Sequence, residues 1–120
     1  MKTIATFENA IANEVKDIRD VGINPTAFWA YQNSRRCGNE LIDFGEVIWD
    51  QDIEAIAATF AENDITEFTI SSNFSGLIKT LVAFEKVGFK MAGTTQVNAN
   101  YTDWATGERA KVDALLMHKA

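Results

Sequence analysis

Residues 66–93 read TEFTISSNFSGLIKTLVAFEKVGFKMAG, and this stretch decides the fold. Apolar and polar residues alternate over residues 66–72, which predicts a strand. Apolar residues then recur at steps of three and four, which predicts a helix. The predicted buried face of that helix comprises Phe74, Leu77, Ile78, Leu81 and Phe84. Gly88 ends the helix in the left-handed conformation, and Phe89 packs back on it as the next strand begins. The stretch is therefore a β-α-β unit.

Two helices are predicted before this unit. The first covers residues 7–21, where apolar residues recur at helical spacing. The second covers residues 25–36, because Asn24 and Pro25 suit the N-cap and the first helical position. Its aromatic residues, Phe28, Trp29 and Tyr31, spread around more than one face. This is usually a sign of a helix that is buried on both sides and less often of a binding surface, so this helix is the next candidate contact after the acidic turn at residues 49–54.

A strand and a helix are predicted between these helices and the β-α-β unit. Residues 40–49 alternate between apolar and polar, and Gly45 predicts a bend in that strand. Asp50 is the expected N-cap of the helix that follows. The buried stripe of this helix comprises Ile53, Ile56, Ala57 and Phe60.

The chain ends in a predicted antiparallel hairpin. A long strand with Met91, Thr95 and Val97 on one side leads to a turn at Thr106-Gly107 and a last strand. The predicted order is α-α-β-α-β-α-β-β in a single domain over residues 1–120. This order predicts an α/β (α+β) fold: two N-terminal helices, then β-α-β-α-β-β with a mixed four-stranded sheet and a C-terminal antiparallel hairpin.

The charge of the chain is concentrated in its middle. Residues 37–78 carry nine carboxylates and no lysine or arginine, within a chain of formal net charge −6. Such a segment repels phosphate and attracts cationic surfaces. We therefore expect a basic protein surface as the partner, a nucleic-acid-binding protein being one candidate, and no direct binding of nucleic acid. No stretch approaches the length of a membrane span, so no membrane partner is expected.

The candidate protein-binding residues lie where an aromatic side chain adjoins these acids. Aromatic side chains beside carboxylates are typical anchors of protein interfaces. The candidates are Glu46, Trp49, Asp50, Asp52 and Glu54. Two alternatives stay open: the tryptophan belongs to the core, and the acids merely solvate the start of a helix.

Residues 40–119 resemble the C-terminal part of the GNAT acyltransferases. The run Phe68-Thr69-Ile70-Ser71-Ser72-Asn73, the helix after it and the segment Ala83 to Gly93 are similar to the strand, the helix and the "LYEKLGF-x-x-x-G" strand of that family. The resemblance implies an acetyl-CoA-dependent acyl transfer. It also matches Asn73 to an asparagine that often contacts the cofactor in the family.

The chain departs from this family at two functional positions. The family holds the pyrophosphate of acetyl-CoA on a glycine-containing loop, whereas residues 49–54 contain no glycine and three carboxylates. The tyrosine that often serves the family as general acid is matched by Phe84, which has no proton to donate. No cofactor and no cofactor-binding residue are therefore expected.

No other catalytic or metal-binding motif is recognised. Cys37 is the only cysteine and His118 the only histidine, and they are far apart in sequence. Cys37 is expected to be a small residue that closes a helix, and His118 has no neighbouring ligand with which to bind zinc. Catalytic and metal-binding residues are thus both predicted to be absent.

The expected function is that of a non-enzymatic, cytoplasmic, acidic binding or inhibitor protein. Its size and charge are those of inhibitors of defence nucleases, among them anti-CRISPR and anti-restriction proteins. The alternative is a GNAT-like acyltransferase or a catalytically inactive relative of one. A third reading is a homo-oligomer that associates through an edge of its sheet.

Overall fold

The computed structural model describes residues 24–46, 48–72 and 76–120. The helix predicted over residues 7–21, Asn73 and the predicted buried residue Phe74 lie outside the described residues. Within them the chain forms three α-helices and a mixed four-stranded sheet that ends in a hairpin, which confirms the predicted α+β fold. The elements are α1 (Pro25–Arg36), β1 (Asp43–Phe44), a 3₁₀ turn (Asp50–Asp52), α2 (Ile53–Glu62), β2 (Glu67–Ile70), α3 (Leu77–Lys86), β3 (Phe89–Asp103) and β4 (Glu108–Lys119).

The strand order in the sheet is β1-β2-β4-β3. Strand β1 runs parallel to β2, with Asp43 opposite Thr69, and α2 makes the crossover between them. Strand β4 runs antiparallel to both β2 and β3. Because β4 lies between β2 and β3, the C-terminal hairpin completes the sheet and leaves β3 at its edge.

The predicted signals at the ends of α1 and α3 are confirmed. The side chain of Asn24 accepts a hydrogen bond from the Ala27 N–H at 3.1 Å, and Pro25 occupies the first turn. Cys37 is the buried C-cap of α1. Gly88 follows α3 at φ 98°, a conformation that glycine adopts without steric cost, and Phe89 is buried.

The core is formed by the sheet and all three described helices, and α1 contributes Ala27 and Tyr31 to it. At its centre is Phe68 of β2, which is fully buried. Its ring contacts four other rings at centroid distances of 5.0 to 5.5 Å, in tilted or edge-to-face arrangements that aromatic pairs favour. Those rings belong to Phe44, Phe60, Phe84 and Phe89.

Strand β1 is shorter than predicted. Only Asp43 and Phe44 pair with β2, whereas alternation predicted a strand over residues 40–49. The backbone N–H groups of Ser71 and Ser72 both donate to the Phe44 carbonyl, at 3.1 and 3.2 Å. Pairing therefore stops at Gly45, where the sequence predicted a bend, and the two chain segments separate beyond it.

Two helix predictions are wrong in detail. Asp50 does not cap α2: it begins the 3₁₀ turn, and the N-cap position of α2 is Asp52, whose side chain makes no capping hydrogen bond. Ile78 was predicted to be buried but is 78% exposed. The buried residues of α3 are Thr80 and Phe84, one turn apart, which places Ile78 outside the buried stripe.

Strand β3 contains a bulge that the alternation of the sequence did not reveal. Met91 lies opposite Met117, but Gly93 lies opposite Leu116, so one extra residue is inserted between them. Because successive residues of a strand point to opposite faces, this insertion separates Met91 from the face of Thr95 that it was predicted to share.

Candidate functional site

A cleft of about 420 Å³ opens between α1 and the carboxyl end of β1. The carboxyl ends of parallel strands are a frequent location of binding sites. The lining of the cleft comprises Thr26, Trp29, Ala30, Asn33, Arg36, Asp43, Phe44, Gly45, Glu46, Trp49 and Asn100. Helix α1 forms one wall, and the segment from β1 to the 3₁₀ turn forms another.

Two exposed tryptophans face this cleft. Trp29 of α1 and Trp49, the residue before the 3₁₀ turn, both line it and are each 65% exposed. Trp29 is exposed because α1 buries the opposite side, with Ala27, Tyr31 and Ser34 against the protein. Neither tryptophan belongs to the core, so the alternative that Trp49 is a core residue is wrong.

The carboxylate of Asp43 is held in place between the strands. Its two oxygens accept hydrogen bonds from the hydroxyls of Thr69, at 2.7 Å, and Ser71, at 2.6 Å. The Asp43 backbone N–H donates to the hydroxyl of Ser34 of α1 at 2.8 Å. The parallel register explains this arrangement, because it places Asp43 beside Thr69. No lysine or arginine among the described residues forms a salt bridge with Asp43.

A second hollow, of about 330 Å³, continues from the cleft toward β3. The linings of the two spaces share Asn33, Asp43, Gly45, Glu46 and Asn100. We call this second space the polar hollow, because asparagines contribute much of its wall. Asp43 thus lies at the junction of an aromatic space and a polar one.

The wall of the polar hollow is fixed by side-chain amides. The Asn98 backbone N–H donates to the Asn39 side chain at 2.9 Å, and the Asn39 amide donates back to the Asn98 carbonyl at 3.1 Å. The Asn98 side chain also donates to the Cys37 carbonyl at 3.0 Å. Arg109 of β4 adds a bond to the Ala99 carbonyl at 3.3 Å. The bonds of Asn98 to Asn39 and Cys37 tie the segment after α1 to β3.

The structure brings only part of the predicted binding set into the cleft. Glu46 and Trp49 line it. Asp50, Asp52 and Glu54 are not part of its lining and lie at the start of α2. We use the name acidic-aromatic surface for Glu46, Trp49, Asp50, Asp52 and Glu54 together.

The three acids at the start of α2 differ in their contacts. Asp50 forms a salt bridge with Lys79 at 3.1 Å, in which both side chains are largely exposed. Asp52 accepts a hydrogen bond from the Thr26 hydroxyl at 3.4 Å, and Glu54 is exposed. Asp50 is therefore partly neutralised within the chain, while Asp52 and Glu54 present their charge to solvent.

Sequence reasoning missed Asp43 and Trp29 as residues of this site. Asp43 was counted only as one of the acids of the middle segment, because its neighbours Thr69 and Ser71 follow it by more than 25 residues. The sequence pattern of α1 favours burial on both sides and leaves a binding surface as the alternative, without singling out Trp29. Polar residues alternate with apolar ones in both β1 and β2, and this was the signal that the sequence offered. Only the register of the two strands shows which polar residues contact each other.

Metal binding finds no support among the residues that the structure describes, where no three His, Cys, Asp or Glu side chains come close enough to hold an ion. His118 lies beside Glu67, with its Nε2 at 3.5 Å from the carboxylate. None of the helices in the described part of the chain is both long and apolar enough to cross a membrane.

The chain matches the model of a protein family. No curated protein and no solved structure is significantly similar to the chain. A family model described as Domain of unknown function (DUF7698) matches residues 26–119, which include every described element except the first residue of α1. The protein therefore belongs to the DUF7698 family.

Proposed function

We propose that the protein is a non-enzymatic binding protein that recognises a basic protein surface through its acidic-aromatic surface. The observation that carries this proposal is the position of Trp49, which is 65% exposed and flanked by the exposed acids Glu46 and Asp50. Exposed aromatic side chains that become buried on association supply much of the energy of protein interfaces. The surrounding carboxylates would steer a cationic partner toward them.

The charge of the surface supports a cationic partner over nucleic acid. Asp52 and Glu54 flank the first residue of α2, and a phosphate backbone would meet their repulsion there. Lys79 offsets the charge of Asp50, but Glu46, Asp52 and Glu54 form no salt bridge with a described residue, so the surface keeps a net negative charge. A basic protein, for instance one whose own surface binds nucleic acid, is the partner that this field favours.

Inhibition of a defence nuclease is the specific role that we propose for this binding. An acidic protein that covers a basic channel competes with the nucleic acid that the channel serves. We place this activity in the cytoplasm, where the single cysteine, which is buried and free, remains reduced.

Self-association is a second candidate, favoured by the edge strand β3. No charged residue occurs between Lys90 and Asp103, and charge is one of the devices that protect edge strands from pairing. The Asn39 side chain forms hydrogen bonds with both the backbone N–H and the carbonyl of Asn98. These bonds block the addition of another strand at that point. A homo-oligomer would therefore pair through the part of β3 before Asn98.

An acyltransferase, or an inactive relative of one, is the alternative from another class of protein. In its favour, residues 40–119 have the β-α-β-α-β-β order that the GNAT resemblance implies. Against it, Phe84 is fully buried in the core and carries no hydroxyl. Asp50, Asp52 and Glu54 also occupy the helix start at which the family binds pyrophosphate.

We predict that acetyl-CoA does not bind at micromolar concentrations. Each carboxylate near the helix start would oppose the pyrophosphate by about 1 kcal/mol or more at short range. Isothermal titration calorimetry measures this directly, with the Asp50→Asn/Asp52→Asn/Glu54→Gln variant beside the wild type. A micromolar dissociation constant for the wild type would favour the acyltransferase instead.

Capture of a partner tests the proposed function. Immobilised wild-type protein should retain a basic protein from host lysate at low salt, and the Trp49→Ala variant should retain much less of it. Trp104→Ala is the matched control, because Trp104 is an exposed tryptophan in the turn of the hairpin that belongs neither to the acidic-aromatic surface nor to the lining of the cleft. Equal retention by all three proteins, or capture of acidic proteins only, would refute the proposal.

A further inference from the structure

We propose that the cleft between Trp29 and Trp49 receives an arginine side chain of the basic partner, with its guanidinium bonded to Asp43. This inference rests on the proposed function, since it specifies how that partner is anchored. It goes beyond the acidic-aromatic surface, because Asp43 and Trp29 lie outside that set and only the fold brings them to the cleft.

The carboxylate of Asp43 is held in an orientation that suits the binding of a cation. The hydroxyls of Thr69 and Ser71 each donate to a different oxygen of its carboxylate, and this fixes the orientation of the group. Each carboxylate oxygen can accept two hydrogen bonds, so each keeps one acceptor site after these contacts. The side chain is half-buried and lines the cleft, yet no cation of the described residues pairs with it. A bidentate donor would satisfy both free sites.

The tryptophans favour arginine over lysine for this position. A guanidinium is planar, presents paired N–H donors to a carboxylate and stacks on aromatic faces, whereas an ammonium is a strongly hydrated point charge. Tryptophan is the aromatic residue that attracts cations best. Trp29 and Trp49 lie on the same cleft as Asp43, and Glu46 adds a second carboxylate to the lining. A cleft of about 420 Å³ is large enough for one such side chain.

Among the residues that the structure describes, Arg36 is the cation that lines the cleft. Its guanidinium is exposed and forms no salt bridge with a described residue. Its positive charge therefore repels a cation that enters the cleft, and Arg36 does not itself pair with Asp43. The inference consequently predicts opposite effects for two substitutions: loss of Asp43 weakens the binding of arginine, and loss of Arg36 strengthens it.

The test uses a short peptide with one arginine, acetyl-Gly-Arg-Gly-amide, and its lysine counterpart. Proton–nitrogen NMR spectra would follow the indole N–H signals of the three tryptophans during a titration. We expect saturable shifts at Trp29 and Trp49 with the arginine peptide, weaker binding of the lysine peptide, and no shift at Trp104. Trp104 is 94% exposed in the hairpin turn and serves as an internal reference.

Variants then assign the contact. Asp43→Asn should weaken arginine binding about tenfold, the loss expected when a charge-assisted hydrogen bond becomes a neutral one. Asp113→Asn makes the same change in charge at an exposed residue of β4 and should leave the affinity unchanged. Arg36→Gln should increase the affinity at low salt. Thermal unfolding followed by circular dichroism shows whether Asp43→Asn folds, and Trp29→Ala, at an exposed position, tests the same cleft independently.

Two results would overturn the inference: equal binding of both peptides, or no saturable shift at either cleft tryptophan. The same variants separate this inference from the proposed function. The captured partner could bind wild type, Asp43→Asn and Trp29→Ala equally well but lose affinity for Trp49→Ala. That result would support recognition of a basic protein and refute the insertion of an arginine side chain into the cleft. If the arginine peptide binds as described and no basic protein is captured, arginine binding by the cleft is supported and the proposed function is refuted.

Discussion

Replacement of Phe68 by alanine is expected to lower the free energy of unfolding by about 3–5 kcal/mol, the range for removing a large buried aromatic side chain. Phe68 is fully buried, and its ring contacts four other phenylalanine rings that come from β1, α2, α3 and β3. The cavity would therefore lie where the sheet and both covering helices meet. Urea or guanidinium unfolding measures the loss.

A loss of that size is a large part of the total stability of such a domain, which is about 5–15 kcal/mol. Phe68→Leu fills part of the cavity and should cost about 1–2 kcal/mol, within the usual range of point substitutions. Ile78→Ala is the matched surface control, expected to change stability by less than about 0.5 kcal/mol because Ile78 is 78% exposed. A loss at Ile78 as large as that at Phe68 would mean that the core is placed wrongly.

Local signals in the sequence predicted the order of the helices and strands from α1 to β4 and several of their ends. Helix α1 spans Pro25–Arg36, as Asn24 and Pro25 indicated, and Gly88 ends α3 before Phe89. These features depend on groups within a few residues of one another, such as the Asn24 side chain and the Ala27 N–H. They can be recognised without knowledge of the tertiary structure.

Features that depend on distant parts of the chain could not be predicted. The length of β1 is set by where β2 stops pairing with it, at Phe44 and Ile70. The bulge after Met91 is defined by its partner strand, which is more than 20 residues away. The burial of Thr80 in place of Ile78 depends on how α3 is rotated against the sheet.

The residues of the candidate site also divide into those recognisable from neighbours in sequence and those brought together only by the fold. Glu46 and Trp49 could be named from the sequence because they are close to each other and to the acidic turn. Asp43 and Trp29 could not, because their place in the cleft results from the β1–β2 register and the exposed face of α1. The sequence therefore indicated the acidic side of the site, and the fold added the cleft.

The second large effect is expected in association kinetics. The Glu46→Gln/Asp52→Asn/Glu54→Gln variant removes three exposed or half-buried charges of the acidic-aromatic surface. Electrostatic steering by charges of this kind raises association rates by about tenfold or more, and the variant should lose that enhancement at low salt. Its fold should remain intact, because helix-start acids contribute only about 0.3–1 kcal/mol each at exposed positions.

A control variant with equal charge separates steering by this surface from the effect of net charge. Glu62→Gln/Asp64→Asn/Glu85→Gln removes three exposed carboxylates around the C-terminal ends of α2 and α3. Asp64 has φ 55°, a conformation that asparagine tolerates well. We expect this control to associate at nearly the rate of the wild type.

The most direct measurement of the central claim is the association rate constant of the captured partner as a function of ionic strength. The screening length falls from about 30 Å at 0.01 M to about 3 Å at 1 M salt. Binding through the acidic-aromatic surface predicts a steep fall for wild type, a shallow fall for the triple variant, and convergence of the two rates at high salt. A wild-type rate that does not depend on salt, or a variant that matches wild type at low salt, would contradict recognition of a basic partner by this surface.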